Sequence, residues 1–554
     1  MTRSPGSTRS RVATLAALAA LIATVLPAAP SPVMASTAHW IGVRPTAAGG
    51  GTELYDTRTS ATFRPRGVNL LKDEYQSSGP YPILDVIVAP GEYDQAWLDT
   101  QLTAIARYGF NTIRVFLDLC PGDCLTFPDG SAKPAWLDNV AALITSAKNH
   151  GLVVLLTSNQ LPEVGYEDQL PCCYPFDHGF DAQILSSEGL NLTLTYWRTV
   201  IGGLIERDVP LEAVLAYELH NESQFEGNRV PLSLSSGLVT TANGQTYDMA
   251  DQTQKLDMLD DGLIFWADRV AETIKAIDPG ALVTNGFFAP DEPHSVRPGD
   301  TRIVRTARFI RESSLDFFDF HAYPALDLQL WQIVDNFTFD GTVTKPVIMG
   351  EFGSIDPAHP DAAAAGQDLA GWQALSCSFG FDGWLGWVWG SLDPSVRKLT
   401  DDGHAIAAAI SPLVRPDPCD GTGVPKNLAF GRPVIVDSEL PGEEGAKAVD
   451  GLVLTDWNAG GGVPVSITID LGSPQTIHEI RLLTAQFPAG ATTHRIDVRK
   501  QKGGWSQVAK LTGITQGEQW LRFFASPALT GVRWVRIRTT MSPSWVSWRE
   551  IQVF

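Results

Sequence analysis

Two stretches, VLAYELHNE (Val214–Glu222) and PVIMGEFG (Pro346–Gly353), decide the fold of this chain. Each is an apolar run of strand-forming residues that leads to a glutamate. Parallel strands that are buried on both faces read as continuous apolar runs of this kind. Burying a carboxylate is costly unless it is paired, so a glutamate closing each of two such runs indicates a functional site. We therefore predict that Glu222 and Glu351 end two buried strands of one parallel sheet.

Outward from these stretches, strand and helix patterns alternate eight times between about Phe63 and residue 415. Such alternation predicts a (β/α)₈ barrel, an α/β fold with enlarged loops. A doubly wound open sheet is excluded because no glycine-rich phosphate fingerprint follows the first strand. The predicted strands are Arg66–Leu71, Asn111–Leu119, Gly151–Asn159, a strand ending at Glu222, Ala281–Phe288, Phe317–Pro324, a strand ending at Glu351, and Gly383–Gly390.

Polar and aromatic residues gather where these strands end. In a (β/α)₈ barrel the chemistry lies at the C-terminal ends of the strands, so we expect these side chains to meet in one site. They are Asn69, Arg114, Ser158, Asn159, Asn221, Glu222, His321, Tyr323, Glu351, Trp387 and Trp389.

Six motifs in this order carry a family resemblance: RGVN, GFNTIRV, the Asn221-Glu222 pair, H-x-Y at His321, GEFG at Glu351 and the strand-eight tryptophans. Together they resemble clan A of the glycoside hydrolases, most closely family 5, over residues 40 to 415. The resemblance implies retaining hydrolysis, with Glu222 as acid/base and Glu351 as nucleophile. Family 5 cellulases usually end strand three with histidine, whereas this chain has Thr157-Ser158-Asn159. This departure weakens a cellulase assignment and leaves β-mannan open beside β-glucan.

The expected roles of the remaining residues follow from the charges that this mechanism needs. Arg114 would keep Glu351 ionised, because an adjacent cation favours a carboxylate, and Tyr323 could donate a hydrogen bond to it. Arg114 could instead form a structural ion pair lower in the barrel. Asn221 would hold the sugar 2-hydroxyl, and His321 is a further substrate-binding candidate.

Trp387 and Trp389 could form a sugar platform on one face of strand eight. Core packing is the alternative for one of the two.

A second domain follows a linker rich in proline and glycine. We place the signal peptide at 1–35, the catalytic barrel at 36–415, the linker at 416–426 and the second domain at 427–554. Beyond the linker the helical pattern vanishes, and short alternating strands predict an antiparallel β-sandwich.

The motifs NLAFGRPV, AVDGLVLTDW, ITIDLGSPQTI, VRWVRIR and WREIQVF resemble the discoidin-like (factor 5/8 type C) fold and, among enzymes, family 32 carbohydrate-binding modules. The resemblance implies a sugar-binding jelly roll. It also implies a structural calcium held by Asp450, Thr455 and Glu550, and oxygen ligands in a glycine-bearing loop suit calcium. An Asp-Gly turn and an edge glutamate without metal is the alternative. Trp520, Phe487 and Trp545 are candidate sugar contacts, among which the sequence does not choose.

The N-terminal segment, the net charge and the cysteines indicate the environment in which the protein works. Residues 1–35 have three arginines, an apolar run and a small-residue cleavage site, which predict a secretory signal peptide and a secreted, extracellular protein. Removal of this signal peptide takes the net charge of the chain from −21 to −24. Such a negative charge disfavours nucleic acid and anionic membrane as partners. No later stretch is long enough and apolar enough to span a membrane.

Export to an oxidising environment makes the cysteines disulfide candidates. They are Cys120, Cys124, Cys172, Cys173, Cys377 and Cys419. The pairing is left open, and we favour the pair Cys377–Cys419.

The sequence thus predicts a secreted, monomeric β-glycoside hydrolase that acts on polysaccharide or oligosaccharide and needs no catalytic cofactor. A non-catalytic glycan-binding or adhesion protein and a transglycosylase on the same scaffold are the alternatives. Sugar, linkage and endo or exo attack are left open, because they are determined by loops.

Overall fold

A computed structural model describes residues 38–74, 83–85, 87–118, 125–159, 168–172, 174–288, 299–338, 343–391 and 393–554. The predicted signal peptide lies outside these ranges. None of the helices in them has the length and apolar character needed to span a bilayer.

Eight parallel strands form the closed barrel that the alternating pattern predicts, so the α/β fold class is confirmed. The fifth strand is split: Val283–Thr284 pairs with the fourth strand and Gly286–Phe287 pairs with the sixth, which closes the ring. The strands are β1 (Arg66–Leu70), β2 (Thr112–Phe116), β3 (Val153–Thr157), β4 (Val214–Glu218), β5 (Val283–Thr284 and Gly286–Phe287), β6 (Phe318–Phe320), β7 (Val347–Ile355) and β8 (Gly383–Trp389).

Two strand ends differ from the prediction. Strand β4 ends at Glu218, four residues before Glu222, and β7 continues past Glu351 to Ile355. After β4 the chain remains bonded to its neighbours without regular pairing: the Asn221 N–H donates to the Ser158 carbonyl at 2.7 Å. The apolar run therefore predicts the strand but not the turn that carries Glu222 into the cleft.

Helices surround the barrel and pack on the outward faces of its strands. They are α1 (Gln95–Arg107), α2 (Pro134–Asn149), α3 (Gly179–Leu185), α4 (Ser187–Ile205), α5 (Gln252–Ile277), α6 (Thr306–Glu312), α7 (Leu330–Asn336), α8 (Ala362–Ser376) and α9 (Asp401–Ile410). An N-terminal hairpin, Ile41–Pro45 with Thr52–Asp56, packs Ile41 and Leu54 against apolar residues of the barrel interior. The barrel is thus filled, and chemistry is confined to its other end.

The C-terminal domain is the predicted antiparallel sandwich. Its strands are β9 (Val434–Val436), β10 (Trp457–Asn458), β11 (Val465–Lys500), β12 (Ser506–Met541) and β13 (Ser547–Val553). The long elements β11 and β12 change partners along their length through register shifts, and β11 also pairs with β13. The domain has its own apolar core, which includes the buried Trp457 and Trp548.

The predicted disulfide between Cys377 and Cys419 is confirmed, with the two Cα atoms 5.7 Å apart. It ties the end of α8 to the segment that joins the domains. Cys120, Cys124 and Cys173 lie outside the described residues.

Candidate active site

Arg114 is the centre of the site. It lies on β2 and is fully buried, and its guanidinium joins three strands. Nε donates to Glu218 Oε2 at 2.7 Å, and Nη1 donates to Glu351 Oε1 at 2.6 Å and to Asn69 Oδ1 at 2.8 Å. Nη2 donates to Asn221 Oδ1 at 2.6 Å. A buried, charge-assisted network of this kind holds its members in one geometry.

Glu351 is held by two donors. Arg114 bonds one carboxylate oxygen, and the Tyr323 hydroxyl donates to the other at 2.6 Å. Burial raises the pKa of the Glu351 carboxyl, while His321, Arg114 and the Tyr323 hydrogen bond each lower it. The net shift is upward, so Arg114 offsets part of the cost of burial and does not reverse it.

Glu222 has a different environment. Its side chain is 30% exposed, and Oε1 lies 2.8 Å from Nδ1 of the buried His321. Removal from water raises the pKa of Glu222 to about 7, against the opposing charges of Arg114 and Arg302. Burial lowers the pKa of His321 to about 4, so the imidazole is neutral near pH 7. Its Nδ1 can then donate to the carboxylate or accept from the acid.

The two glutamates face each other across this histidine. An oxygen of Glu222 and an oxygen of Glu351 lie within 4.8 Å of each other, and His321 Nδ1 is 3.5 Å from Glu351 Oε1. Two closely spaced carboxyls with different partners can hold different protonation states.

These three side chains also have the donor types of a metal site. However, the Arg114 guanidinium, 2.6 Å from Glu351, would repel a metal ion there. Arginine keeps its charge at all relevant pH values, so we assign no metal to this cluster.

Sequence analysis missed three charged residues around the site. Glu218 accepts from Arg114 and from the Thr157 hydroxyl at 2.7 Å, and Asp319 accepts from the Gly350 N–H at 2.6 Å. Both carboxylates are fully buried. Arg302 follows β5, and its charge lowers the pKa of Glu222. The available signal was an acid inside each apolar run, in VLAYE and FDF; nothing local marks Arg302.

Burial changes the interpretation of three predicted substrate contacts. Arg114, His321 and Trp389 are completely buried, so these three side chains expose no surface to the cleft. The Trp389 indole donates to Gln101 Oε1 at 3.0 Å on α1. Trp387 is partly exposed and packs edge-on against Phe116.

Trp387 and Trp389 therefore do not share a face. The pairing of β8 with β1 shifts register between Gly386 and Trp389, which breaks the regular alternation that the prediction assumed. Sequence periodicity cannot show such a shift.

Three other predicted residues form hydrogen bonds that connect the strands and loops around the site. Asn69 donates from Nδ2 to the Gly350 carbonyl at 2.8 Å and so links β1 to the strand of Glu351. Ser158 donates to Asp118 Oδ2 at 2.7 Å, and the Asn159 N–H donates to the same carboxylate. Burial raises the pKa of Asp118 to about 6.

The predicted calcium residues lie together in the sandwich. The Thr455 hydroxyl donates to Asp450 Oδ2 at 2.9 Å, and Glu550 Oε2 accepts from the Gly451 N–H at 3.1 Å. Glu550 is fully buried. Burial and then the charge of Asp450 raise the pKa of Glu550 well above its usual range, and burial raises that of Asp450 to about 6. Two carboxylates that repel each other beside a hydroxyl fit a hard divalent cation.

Of the predicted sugar contacts on the sandwich, Phe487 is 71% exposed and Trp545 is 44% exposed. The Ser544 hydroxyl donates to the Phe487 carbonyl at 2.6 Å, which holds the two aromatic loops side by side. Trp520 points elsewhere: its indole N–H donates to the Pro357 carbonyl of the barrel at 2.8 Å.

Fold and site together define a (β/α)₈-barrel protein with paired glutamates and an appended β-sandwich. Residues 435–551 match the family model of the F5/8 type C domain. No curated protein sequence matches the chain.

Solved structures with similarity to the chain include two chitosan-binding modules and a mannosidase. Chitosan-binding module 1 from a chitosanase/glucanase of Paenibacillus sp. IK-5 is 28% identical, with 24% of this chain and 99% of that one covered and a TM-score of 0.21. Module 2 of the same enzyme, solved with chitotriose, is 31% identical, with coverage of 23% and 99% and a TM-score of 0.21. An exo-β-1,4-mannosidase from Opitutaceae bacterium strain TAV5 is 16% identical, with coverage of 68% and 64% and a TM-score of 0.43.

Proposed function

We propose that this protein is a secreted, retaining β-glycoside hydrolase that acts on a polysaccharide of the β-mannan or β-glucan class. The observation that carries the proposal is the pair Glu222 and Glu351, whose nearest oxygens lie within 4.8 Å. Retaining enzymes hold their carboxyls about 5–5.5 Å apart, whereas inverting enzymes leave about 6.5–9.5 Å for a water molecule.

The surroundings of each glutamate support its role. Glu351 accepts hydrogen bonds from Arg114 and Tyr323, which orient a carboxylate for attack on the anomeric carbon. Glu222, with a pKa of about 7, can still carry a proton at neutral pH. An acid with its pKa near the working pH is the effective proton donor.

The proposed reaction has two displacements. Glu351 attacks the anomeric carbon while Glu222 protonates the glycosidic oxygen, and the leaving sugar departs as an alcohol. Glu222, now ionised, takes a proton from water, and the hydroxide attacks the anomeric carbon and releases Glu351. Asn221 Oδ1 is occupied by Arg114, so its amide nitrogen is the group we assign to the sugar 2-hydroxyl.

Azide rescue tests these roles on an aryl β-glycoside with a good leaving group. Glu222→Ala should keep substantial activity, because such a substrate needs no acid, and azide should accelerate it and give the β-glycosyl azide. Glu351→Ala should lose nearly all turnover, with no rescue to that product. Glu312→Ala, which replaces a carboxylate exposed on α6, is the matched control. The opposite pattern would reverse the assignment.

A panel of polysaccharides with product sizing separates the alternatives. Retention of polymer without cleavage would support the glycan-binding protein. Products longer than the substrate would support transglycosylation, because water and a sugar acceptor compete for the same glycosyl intermediate.

We further propose that the sandwich binds carbohydrate and that Asp450, Thr455 and Glu550 hold a structural calcium. The family match over residues 435–551 supports the first proposal. The buried Glu550 carboxylate, whose pKa the charge of the half-buried Asp450 raises further, supports the second. Calcium there would compensate the negative charge of the loop, and no catalytic step depends on it.

A further inference from the structure

The sandwich is packed against two barrel loops, one that follows β6 and Tyr323 and one that follows β7, the strand of Glu351. Leu326 after β6 and Ala358 after β7 form one apolar cluster with Val453, Leu483 and Trp520 of the sandwich. Val453, Leu483 and Ala358 are each no more than 1% exposed. Apolar contacts of this burial are typical of a domain core more than of two modules on a tether.

Backbone hydrogen bonds cross the interface to the loop after β6. The Val453 N–H donates to the carbonyls of Ala325 at 3.0 Å and Leu326 at 3.2 Å, and the Leu454 N–H donates to the Leu326 carbonyl at 3.1 Å. Gln329 Nε2 donates to the Asp450 carbonyl at 2.9 Å. This loop is therefore bonded to the sandwich at both ends.

The loop after β7 is held by side chains. The Trp520 indole donates to the Pro357 carbonyl at 2.8 Å. Arg522 bridges the domains: it pairs with Asp361, the N-cap of α8, and its Nε donates to Glu479 Oε1 at 2.6 Å within the sandwich. Two neighbouring loops, after β6 and after β7, are thus in contact with the sandwich on the Glu351 side of the cleft.

The loop after β6 is the more informative, because it is strained and leads directly to the site. Ala325 has φ of +72°, a left-handed conformation that a residue with a Cβ adopts only when its surroundings hold it there. Ala325 lies two residues after Tyr323, which donates to Glu351. Asp327, in the same loop, interacts electrostatically with Arg302. The charge of Arg302 in turn lowers the pKa of Glu222.

We propose that the sandwich is a positioning element of the active site, in addition to any sugar it binds. Val453 and Trp520 hold the loops after β6 and β7, and through Tyr323 they set the orientation of Glu351. The kinetic part of this inference rests on the proposed glycosidase function; the structural part does not.

A double-mutant cycle in the full chain tests the coupling. Val453→Ala with Trp520→Phe should lower kcat on a small aryl β-glycoside about tenfold, because small displacements of reacting groups are costly. Tyr323→Phe alone should also lower kcat. If the interface acts through Tyr323, the combined variant should be little slower than Tyr323→Phe alone, since coupled sites are non-additive.

The matched control carries the same changes elsewhere in the sandwich, as Val508→Ala with Trp505→Phe. Val508 packs against the sandwich core, and Trp505 stacks with Arg499 and Arg536 of the same domain. This control should keep the kcat of the natural protein. Full additivity in the cycle, or equal losses in the control, would overturn the positioning role.

Hydrogen exchange provides a readout that needs no activity. Backbone amides of residues 325–329 should exchange faster in the Val453→Ala, Trp520→Phe protein than in the control. Unchanged exchange there would overturn the inference even if the enzyme is active. Faster exchange in a protein that hydrolyses no glycoside would uphold the contact and reject the proposed function instead.

Discussion

At the scale of single residues, the two glutamates are distinguished by what surrounds them. Glu351 is bonded to an arginine and a tyrosine, whereas Glu222 contacts a neutral histidine and is partly open to solvent. Burial raises the pKa of both carboxyls. The difference in hydrogen-bond donors, more than any difference in burial, distinguishes the proposed nucleophile from the proposed acid.

This arrangement predicts the alkaline limb of the pH profile. The acid must be protonated in the free enzyme, so kcat/KM should fall as pH rises through about 7, the pKa of Glu222. Arg302→Gln removes a positive charge that lowers this pKa, and the limb should therefore move to higher pH. The measurement is kcat/KM against pH on an unactivated β-glycoside, which requires the acid.

Arg308→Gln is the control for that experiment. Arg308 pairs with Glu312 at 2.9 Å and Asp261 at 3.0 Å, and its replacement should leave the limb in place. A limb that stays fixed in Arg302→Gln, or moves to lower pH, would contradict the assignment of Glu222 as the acid.

At the scale of elements, the final strand of the sandwich carries a buried charge that needs compensation. Glu550 on β13 lies beside the Asp450 loop, and both carboxyls have raised pKa values. A raised folded-state pKa contributes stability that is present below the unfolded value, about 4, and is lost as pH rises through the folded value. For Asp450 that loss spans the range from about pH 4 to about pH 6.

Calcium should reverse this loss. We expect chelator to lower the melting temperature of the sandwich more at pH 7.5 than at pH 5, because the ionised carboxylates are the ligands. At a hundredfold excess over Kd the ion would add about 2.7 kcal/mol. Differential scanning calorimetry of the full chain with chelator or millimolar calcium checks this.

The variant Asp450→Asn should lose the calcium response, while Asp456→Asn in the same loop should retain it. Identical melts with and without calcium at pH 7.5 would contradict the site.

At the scale of the whole molecule, the proposal assigns catalysis to the barrel and adsorption to polysaccharide to the sandwich. Phe487 and Trp545 are exposed aromatic side chains on neighbouring loops of the sandwich, and flat rings of this kind are suitable for stacking on sugars. We expect Phe487→Ala with Trp545→Ala to reduce adsorption to insoluble polysaccharide several-fold while kcat on a small glycoside is unchanged. Pull-down isotherms and the aryl-glycoside assay measure the two effects separately.

The matched control is Phe524→Ala with Trp331→Ala, which removes two other exposed aromatic rings, 61% and 57% exposed. Adsorption should persist in this protein. Equal adsorption by all variants would contradict the assignment of Phe487 and Trp545.

The sequence alone predicted the barrel, the sandwich and the proximity of Glu222 and Glu351, and it favoured the pair Cys377–Cys419 among open disulfide pairings. The barrel, the sandwich and the glutamates depend on local information: apolar runs mark buried strands, and an acid near the end of such a run is costly to bury. The resemblance to the discoidin-like fold placed Asp450, Thr455 and Glu550 together, since that fold brings its last strand beside the Asp450 loop.

Tertiary structure decided what depends on distance between strands. It buries His321 and Trp389 and adds the charges of Glu218 and Arg302 to the site. It also places the Trp520 indole in a hydrogen bond to the barrel, where the sequence offered a sugar contact. A proline- and glycine-rich linker predicts separable domains, but linker composition says nothing of the surfaces on either side. Apolar residues such as Val453 and Leu326 read as core positions of their own domains, and only the folded chain shows that they pack on each other.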